Sequence, residues 1–417
     1  MSSSSSSRIA NPPSPPSSSA TTTATTGVQP PPPPARFQLP NSSSSTSTPD
    51  NAEMLRSVGR DFRSDTVTIP TDRMFTEMAL ASRGDDVFQE DTTTADFEAS
   101  IAALTGKESG LYVVSGTASN QLALRTHLAK CMPPSSVLMD SRAHIHAHEA
   151  GALAMISQAT TLAIKPANGR HLTWEEDVAP NLVPDTGDIH LCPTRVVALE
   201  NTLWGTIFPH EELEKISREC RSRGILMHLD GARLWNVSAK TGKSMRELCE
   251  PFDTVSLCLS KGLGAPVGSI LVGPNSFTRS ARHFRKLLGG GVRQIGPLVA
   301  AARVAVEDHF PKLPHTHSLA SWLASQLSSL GVKLPNGEPE TNMLFVDVQP
   351  LGFTNDQLNA RLAEEGIKTW APRIVVHHQI EASAVKRVVE VVVEMKGEVE
   401  REGKIREAGP YKKKGMY

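Results

Sequence analysis

Apolar residues recur along this chain in two rhythms: short continuous runs, and the three-and-four spacing of an amphipathic helix. Runs at residues 111–114, 137–139, 161–164, 195–199, 225–229 and 254–259 read as strands, with 269–272 as a further one. Helical spacings lie between them, as at 211–223, where Leu213 and Ile216 share one face. Strands alternating with helices predict an α/β domain built on a mostly parallel sheet. Upstream, residues 61–70 read as polar and extended, a short helical run ends at Ala81, and an amphipathic stretch covers 94–105. Two helices, 276–288 and 297–309, flank Gly289-Gly-Gly291 and complete a large domain spanning 51–310.

Pro311 and Pro314 then mark a predicted boundary. Beyond it the order is helix (318–329), strand (342–348), helix (355–365), strand (373–377) and a last helix over 382–400. This predicts a small C-terminal α+β domain over 311–405. Residues 1–50 are mostly Ser, Thr and Pro with a proline run at 30–34, so a disordered tail is expected there. Residues 406–417 read as a basic, solvated tail.

Composition narrows the function classes. A chain of 417 residues is long enough for two cored domains, and a net charge of −1 gives no electrostatic case for nucleic acid or an anionic membrane. The five cysteines are scattered without a CxxC pair, which points to a reducing compartment rather than a disulfide framework or structural zinc. No apolar run reaches membrane-spanning length. A soluble, cytoplasmic protein is expected. The acid-free, Ser-rich start is compatible with a mitochondrial transit peptide, but the proline run and scarce arginine favour a plain tail.

Chemistry concentrates at strand ends. One predicted strand ends on Asp230 in His228-Leu-Asp-Gly-Ala-Arg233, and the next delivers Lys261 into the small-residue loop Ser260-Lys-Gly-Leu-Gly-Ala-Pro-Val-Gly268. Together they fit a pyridoxal phosphate (PLP) site, with Lys261 forming the Schiff base and Asp230 facing the ring nitrogen. Taken singly, they read as a loop cation and a turn-forming Asp-Gly pair. Ser115-Gly116-Thr117 stands where a strand turns into a helix, a natural phosphate seat, although on local evidence alone an ordinary N-cap is the favoured reading. Arg233 and Arg373 have the bidentate geometry a substrate carboxylate needs, although surface ion pairs are the common fate of arginines. Arg293 follows the glycine run and can reach a phosphate across an interface. His144, His146 and His148 alternate, as metal ligands on one strand face would; no Cys or carboxylate cluster joins them. A histidine stacked on a planar cofactor or acting in acid–base chemistry is the better reading for one of them, and no metal is expected.

In combination these residues resemble the threonine aldolase family of fold type I PLP-dependent enzymes, from about Asp61 to about Glu394. The matching motifs are Arg63-Ser-Asp-Thr-Val-Thr68, Gly84-Asp-Asp-Val87, Ser115-Gly-Thr117, His144 with Glu149-Ala-Gly151, and Leu199-Glu-Asn-Thr202. The series continues through Leu229-Asp-Gly-Ala-Arg233, the Lys261 loop, Leu287-Leu-Gly-Gly-Gly-Val-Arg-Gln294, Thr341-Asn-Met343 and Arg373. The resemblance implies a fold type I PLP-dependent transferase-like large domain. Its implied cofactor residues are Lys261 and Asp230, Gly116 and Thr117 at the phosphate, Arg293 from a neighbouring subunit, and His144 stacked on the ring near the substrate hydroxyl. Ser64, Arg233 and Arg373 are implied to hold the substrate carboxylate. The implied reaction is retro-aldol cleavage of L-threonine, L-allo-threonine or a related β-hydroxy-α-amino acid, in a homodimer or homotetramer with active sites at the subunit interface. Two departures stand out. Leu203 and Trp204 follow Glu-Asn-Thr where many members carry a histidine, and Phe88-Gln-Glu-Asp-Thr92 replaces the usual Tyr-Gly-Glu-Asp-Pro. Leu203 keeps open an amino-acid (alanine) racemase of the same fold, which needs no partner for a β-hydroxyl. A non-catalytic scaffold would be expected to have lost the lysine or the phosphate cup, and this chain retains both.

Overall fold

Seven strands form the central sheet of the computed structural model, which describes residues 51–403. They are β1 (Ser109–Val113), β2 (Ser136–Asp140), β3 (Thr160–Ile164), β4 (Thr194–Glu200), β5 (Leu226–Asp230), β6 (Thr254–Cys258) and β7 (Ser269–Gly273), in the order β1-β7-β6-β5-β4-β2-β3. The tails expected at 1–50 and 406–417 lie outside the described residues. β7 runs antiparallel to both β1 and β6, whereas the pairs β6–β5, β5–β4, β4–β2 and β2–β3 are parallel. β1 therefore points the same way as β6, and the carboxyl ends of six strands share one edge. Helices cover both faces of a parallel sheet, which is why β2, β6 and β7 are buried at every position and read as continuous apolar runs. In such sheets the crevice at the carboxyl edge is where ligands bind.

A second, two-stranded antiparallel sheet pairs β8 (Met343–Phe345) with β9 (Arg373–Val375). Both strands are shorter than predicted from their apolar runs, because the flanking residues pair elsewhere. Val376 N–H donates to Asn342, and Val375 N–H donates to Phe62. The polar stretch near residue 61 is thereby stitched to the far end of the chain: Phe62 N–H donates to Lys368 and Glu381 N–H to Gly59. Phe62 is fully buried in a core with Leu323, Leu344, Leu358, Ile374 and Val388. A separate core, including Leu138, Val197, Leu229, Trp235, Leu257 and Ile270, packs on the large sheet.

The two prolines expected at a boundary do not interrupt the chain's helical path. Gly296–Val304 continues through a π-helical turn (Ala305–His309) and a 3-10 turn (Phe310–Lys312) into the helix Leu313–Ser329. Pro311 and Pro314 each occupy the first turn of a segment, where a missing N–H is harmless. No helix among the described residues is long and apolar enough to cross a membrane.

Candidate active site

Asp230 is the last residue of β5, in register with Glu200 at the end of β4 and with Ser256 in β6. Lys261 follows the end of β6 by three residues, on the loop closed by hydrogen bonds from Gly264 N–H to Lys261 and from Ala265 N–H to Leu259. The helix Gly116–Leu128 starts beside this edge: a Cβ on Gly116 would lie 2.7 Å from the Cys258 sulfur, so only glycine allows the approach. Ser115 is the N-cap, its hydroxyl accepting from Ala118 N–H at 3.1 Å. The cap reading of Ser115 and the anion-seat reading of its neighbours are therefore compatible. Gly116 and Thr117 N–H groups have no acceptor among the described residues, and they stand at the positive end of a 13-residue helix. The Lys261 ammonium likewise has no hydrogen-bond acceptor there, although its charge reaches the Asp65 and Glu200 carboxyls and favours their ionised forms. Two free N–H groups for a phosphate, an amine for an aldehyde and a carboxylate for a pyridine nitrogen make a donor set that fits PLP.

His144 faces this cluster through a partner that motif reading left without a role. Its Nδ1 lies 2.9 Å from Glu149 Oε1, and its backbone N–H donates to Glu200 Oε2 at 2.8 Å. The Glu149 hydrogen bond raises the imidazole pKa against the opposing effect of burial, with Asp230 adding to the rise. The alternating histidines do not lie on a strand. His144–Ala147 is a short helix, which brings the His148 ring to 5.7 Å from His144 and leaves His146 and His148 exposed. Donor atoms of His144, Glu149 and Asp230 all lie within 4.8 Å of one another. They are already joined, because the Asn120 amide donates to Glu149 at 2.9 Å and to Asp230 at 2.8 Å.

The residues expected at the substrate carboxylate meet around the 61–65 segment. Arg373 Nη2 donates to the Arg63 carbonyl at 3.2 Å and has no carboxylate partner among the described residues. Burial and the neighbouring Arg233 charge lower its pKa. Arg233 is differently placed: Nε and Nη2 grip Asp65 in bidentate fashion at 2.8 and 2.6 Å. Ser64 caps the short turn Asp65–Val67 and accepts from Thr66 N–H and Thr66 hydroxyl. Arg293 lies apart from the rest of the set. It pairs with Asp85 at 2.9 Å with its side chain 58% exposed.

Glu200, Asn120, Glu149 and Asp65 are the residues sequence reading left without roles. Each stood inside or beside a quoted motif, and the available signal was a polar group set into an otherwise buried stretch. Burial first, then the Asp230 charge, hold the Glu200 carboxyl well above the usual range. Leu203 is buried and lines a recess with Glu200, His171 and Phe208. Trp204 is half-exposed and stacks on Phe345, centroids 6.1 Å apart, and Phe345 is the residue in register with Arg373.

A seven-stranded, mostly parallel sheet with a small second sheet towards the C-terminus has the fold of the fold type I PLP-dependent enzymes. The model of the β-eliminating lyase family matches residues 61–350, and the chain belongs to that family, in its threonine aldolase group. A low-specificity L-threonine aldolase from Eremothecium gossypii is 43% identical over 82% of this chain and 89% of its own. An alanine racemase from Cochliobolus carbonum is 37% identical over 79% of this chain and 86% of its own. The fold matches that of a threonine aldolase from Leishmania major with a TM-score of 0.68 and 21% identity, covering 81% of this chain and 99% of that one.

Proposed function

We propose that this chain is a PLP-dependent aldolase that cleaves L-threonine, L-allo-threonine or a related β-hydroxy-α-amino acid into glycine and an aldehyde. The observation that carries the reading is the meeting of Lys261, Asp230 and the open N-terminus at Gly116 on one sheet edge, with His144 beside them. Gly116 and Thr117 would hold the phosphate, joined by Arg293 from a neighbouring subunit of a homodimer or homotetramer. Asp230 would face the ring nitrogen, His144 would stack on the ring, and Lys261 would anchor the group covalently. When bound, the cofactor supplies an electron sink for the pair released as the substrate's Cα–Cβ bond breaks.

The chain's own residues do the rest. Arg373, lacking a carboxylate partner among the described residues, takes the substrate carboxylate, and Ser64 adds a hydroxyl beside it. Arg233, already neutralised by Asp65, frames that subsite more than it fills it. Fixing the carboxylate orients the scissile bond, and orientation of this kind removes much of the entropic barrier. His144 accepts the β-hydroxyl proton, and Glu149 stabilises the imidazolium that results. Free cysteines at all five positions suit a reducing compartment such as the cytoplasm.

The racemase reading has one specific observation in its favour: Leu203 presents a buried apolar side chain in the recess beside Glu200. Incubation of the holoenzyme with threonine and, separately, with alanine tests the two. Glycine and acetaldehyde from threonine are expected. D-alanine without aldehyde would replace the aldolase reading by the racemase one, and a purified protein that takes up no PLP would end both.

A further inference from the structure

Beneath the candidate site a line of buried polar groups crosses the sheet, and the aldolase chemistry proposed above uses only its Asp230 end. Asp230 Oδ2 accepts from Asn120 Nδ2 at 2.8 Å, and Asn120 Oδ1 meets His228 Nε2 at 3.1 Å. His228 Nδ1 then meets the Thr254 hydroxyl at 2.9 Å, and that hydroxyl meets His127 Nε2 at 2.7 Å. All five residues are less than one-tenth exposed. Asn120 and His127 are seven residues apart on the helix Gly116–Leu128, so both reach the sheet from one helix face. His228 and Thr254 are register partners on β5 and β6.

The direction of every bond follows from elementary bookkeeping of donors. Asn120 Nδ2 lies between two carboxylates, Glu149 and Asp230, so Oδ1 must be the atom facing His228. An amide oxygen only accepts, hence His228 Nε2 donates. Burial disfavours the charged ring, lowering its pKa to about 3, so the neutral Nδ1 is an acceptor and the Thr254 hydroxyl must donate to it. Thr254 has spent its one proton, and His127 Nε2 therefore donates to Thr254. His127 is also held neutral by burial, against the opposing charge of Asp253. Each donor in the series points toward Asp230.

We propose that His127, Thr254, His228 and Asn120 are positioning residues that act through Asp230, holding its carboxylate in place and aimed at the cofactor's ring nitrogen. This rests on the PLP reading of the site. Hydrogen bonds donated to a carboxylate favour its charged form, and serial donors polarise one another. The line ends away from the chemistry. His127 packs against Phe277, centroids 4.7 Å apart, and lines a cavity of about 400 Å³ with Lys130, Asp253 and His283. This cavity lies by the amino ends of β5 and β6, where Leu226 and Asp253 border it.

The test uses the purified holoenzyme without substrate. Thr254→Val keeps the shape of the side chain and removes the relay hydroxyl; His228→Leu removes the ring; His228→Gln restores a donor and an acceptor. An Asp230 carboxylate that has lost its donors is held less firmly against the ring nitrogen and leaves less positive charge there, which makes a second positive charge at the Lys261 linkage easier to hold. The pH midpoint of the cofactor's visible absorbance should therefore rise by about half a unit or more in Thr254→Val and His228→Leu. PLP affinity should weaken by about tenfold in both, with His228→Gln close to the parent. Thermal unfolding of the same samples separates this from simple destabilisation, and Thr254→Val carries the test should His228→Leu not fold. A wild-type absorbance band with midpoint and affinity unchanged in folded Thr254→Val would overturn the relay alone. Wild-type protein that takes up no PLP would overturn the site reading with it.

Discussion

Asp65→Asn removes one charge from a fully buried side chain while keeping its shape, and its consequences are calculable. In the folded chain, burial pushes the Asp65 carboxyl up, but the charge and two hydrogen bonds of Arg233 outweigh it, with smaller help from Lys261 and His377, and bring it from 3.8 down to about 2. A folded value below the unfolded one means that ionised Asp65 favours the native state. That shift amounts to about 2 kcal/mol, fully present above pH 4 and lost as pH falls through about 2. The variant forfeits this and also leaves the Arg233 guanidinium, with its side chain only 15% exposed, without its anion. Removing one partner of a buried pair costs about 3–5 kcal/mol, so a loss of about 3 kcal/mol at pH 7 is expected. Urea unfolding of wild-type and Asp65→Asn protein at pH 7 and again near pH 2.5 measures it. The gap between the two should be widest at neutral pH and narrow on acidification. Steady-state kinetics should show a raised KM for threonine, because a freed Arg233 no longer frames the Arg373 subsite. Equal stability at pH 7, or a gap that does not change with pH, would refute the reasoning.

Three further expectations follow from the same geometry. Gly116→Ala places a Cβ 2.7 Å from the Cys258 sulfur and should weaken PLP binding by about tenfold or more, read by fluorescence titration. Glu149→Gln removes the carboxylate charge behind the hydrogen bond that raises the His144 pKa; the acid limb of the kcat/KM profile should move to lower pH, and an unmoved limb would exclude His144 as the titrating base. Glu200, raised by burial and by Asp230, binds its proton more tightly folded than unfolded. Wild-type stability should therefore fall as pH rises from about 4.5 to about 8, and Glu200→Gln should flatten that slope in a Tm-against-pH series.

Much of the sheet was legible because strands covered on both faces must be apolar throughout, and such runs stand out against polar helix faces. Motif spacing also carried Asp230 and Lys261, since each sits at or just beyond a strand end where the pattern breaks. Length of pairing was less legible: β8 and β9 came out shorter than their apolar runs, whose remaining residues hydrogen-bond to distant segments. The alternation of the three histidines carried no information about a shared face, because alternation has that meaning only on a strand and His144–Ala147 is helical.

What the sequence determined by itself is the order of elements and the identity of the chemical groups, both of which depend on local periodicity and residue type. Only the tertiary structure decided which charges are already spent. Arg233 and Arg373 look alike along the chain, yet Asp65, 168 residues from Arg233, neutralises the first and leaves the second without a carboxylate among the described residues. Asn120, His228, Thr254 and His127 likewise carry no mark of belonging together. A charge or a proton is assigned by neighbours within a few ångströms, and folding draws those neighbours from anywhere in the sequence.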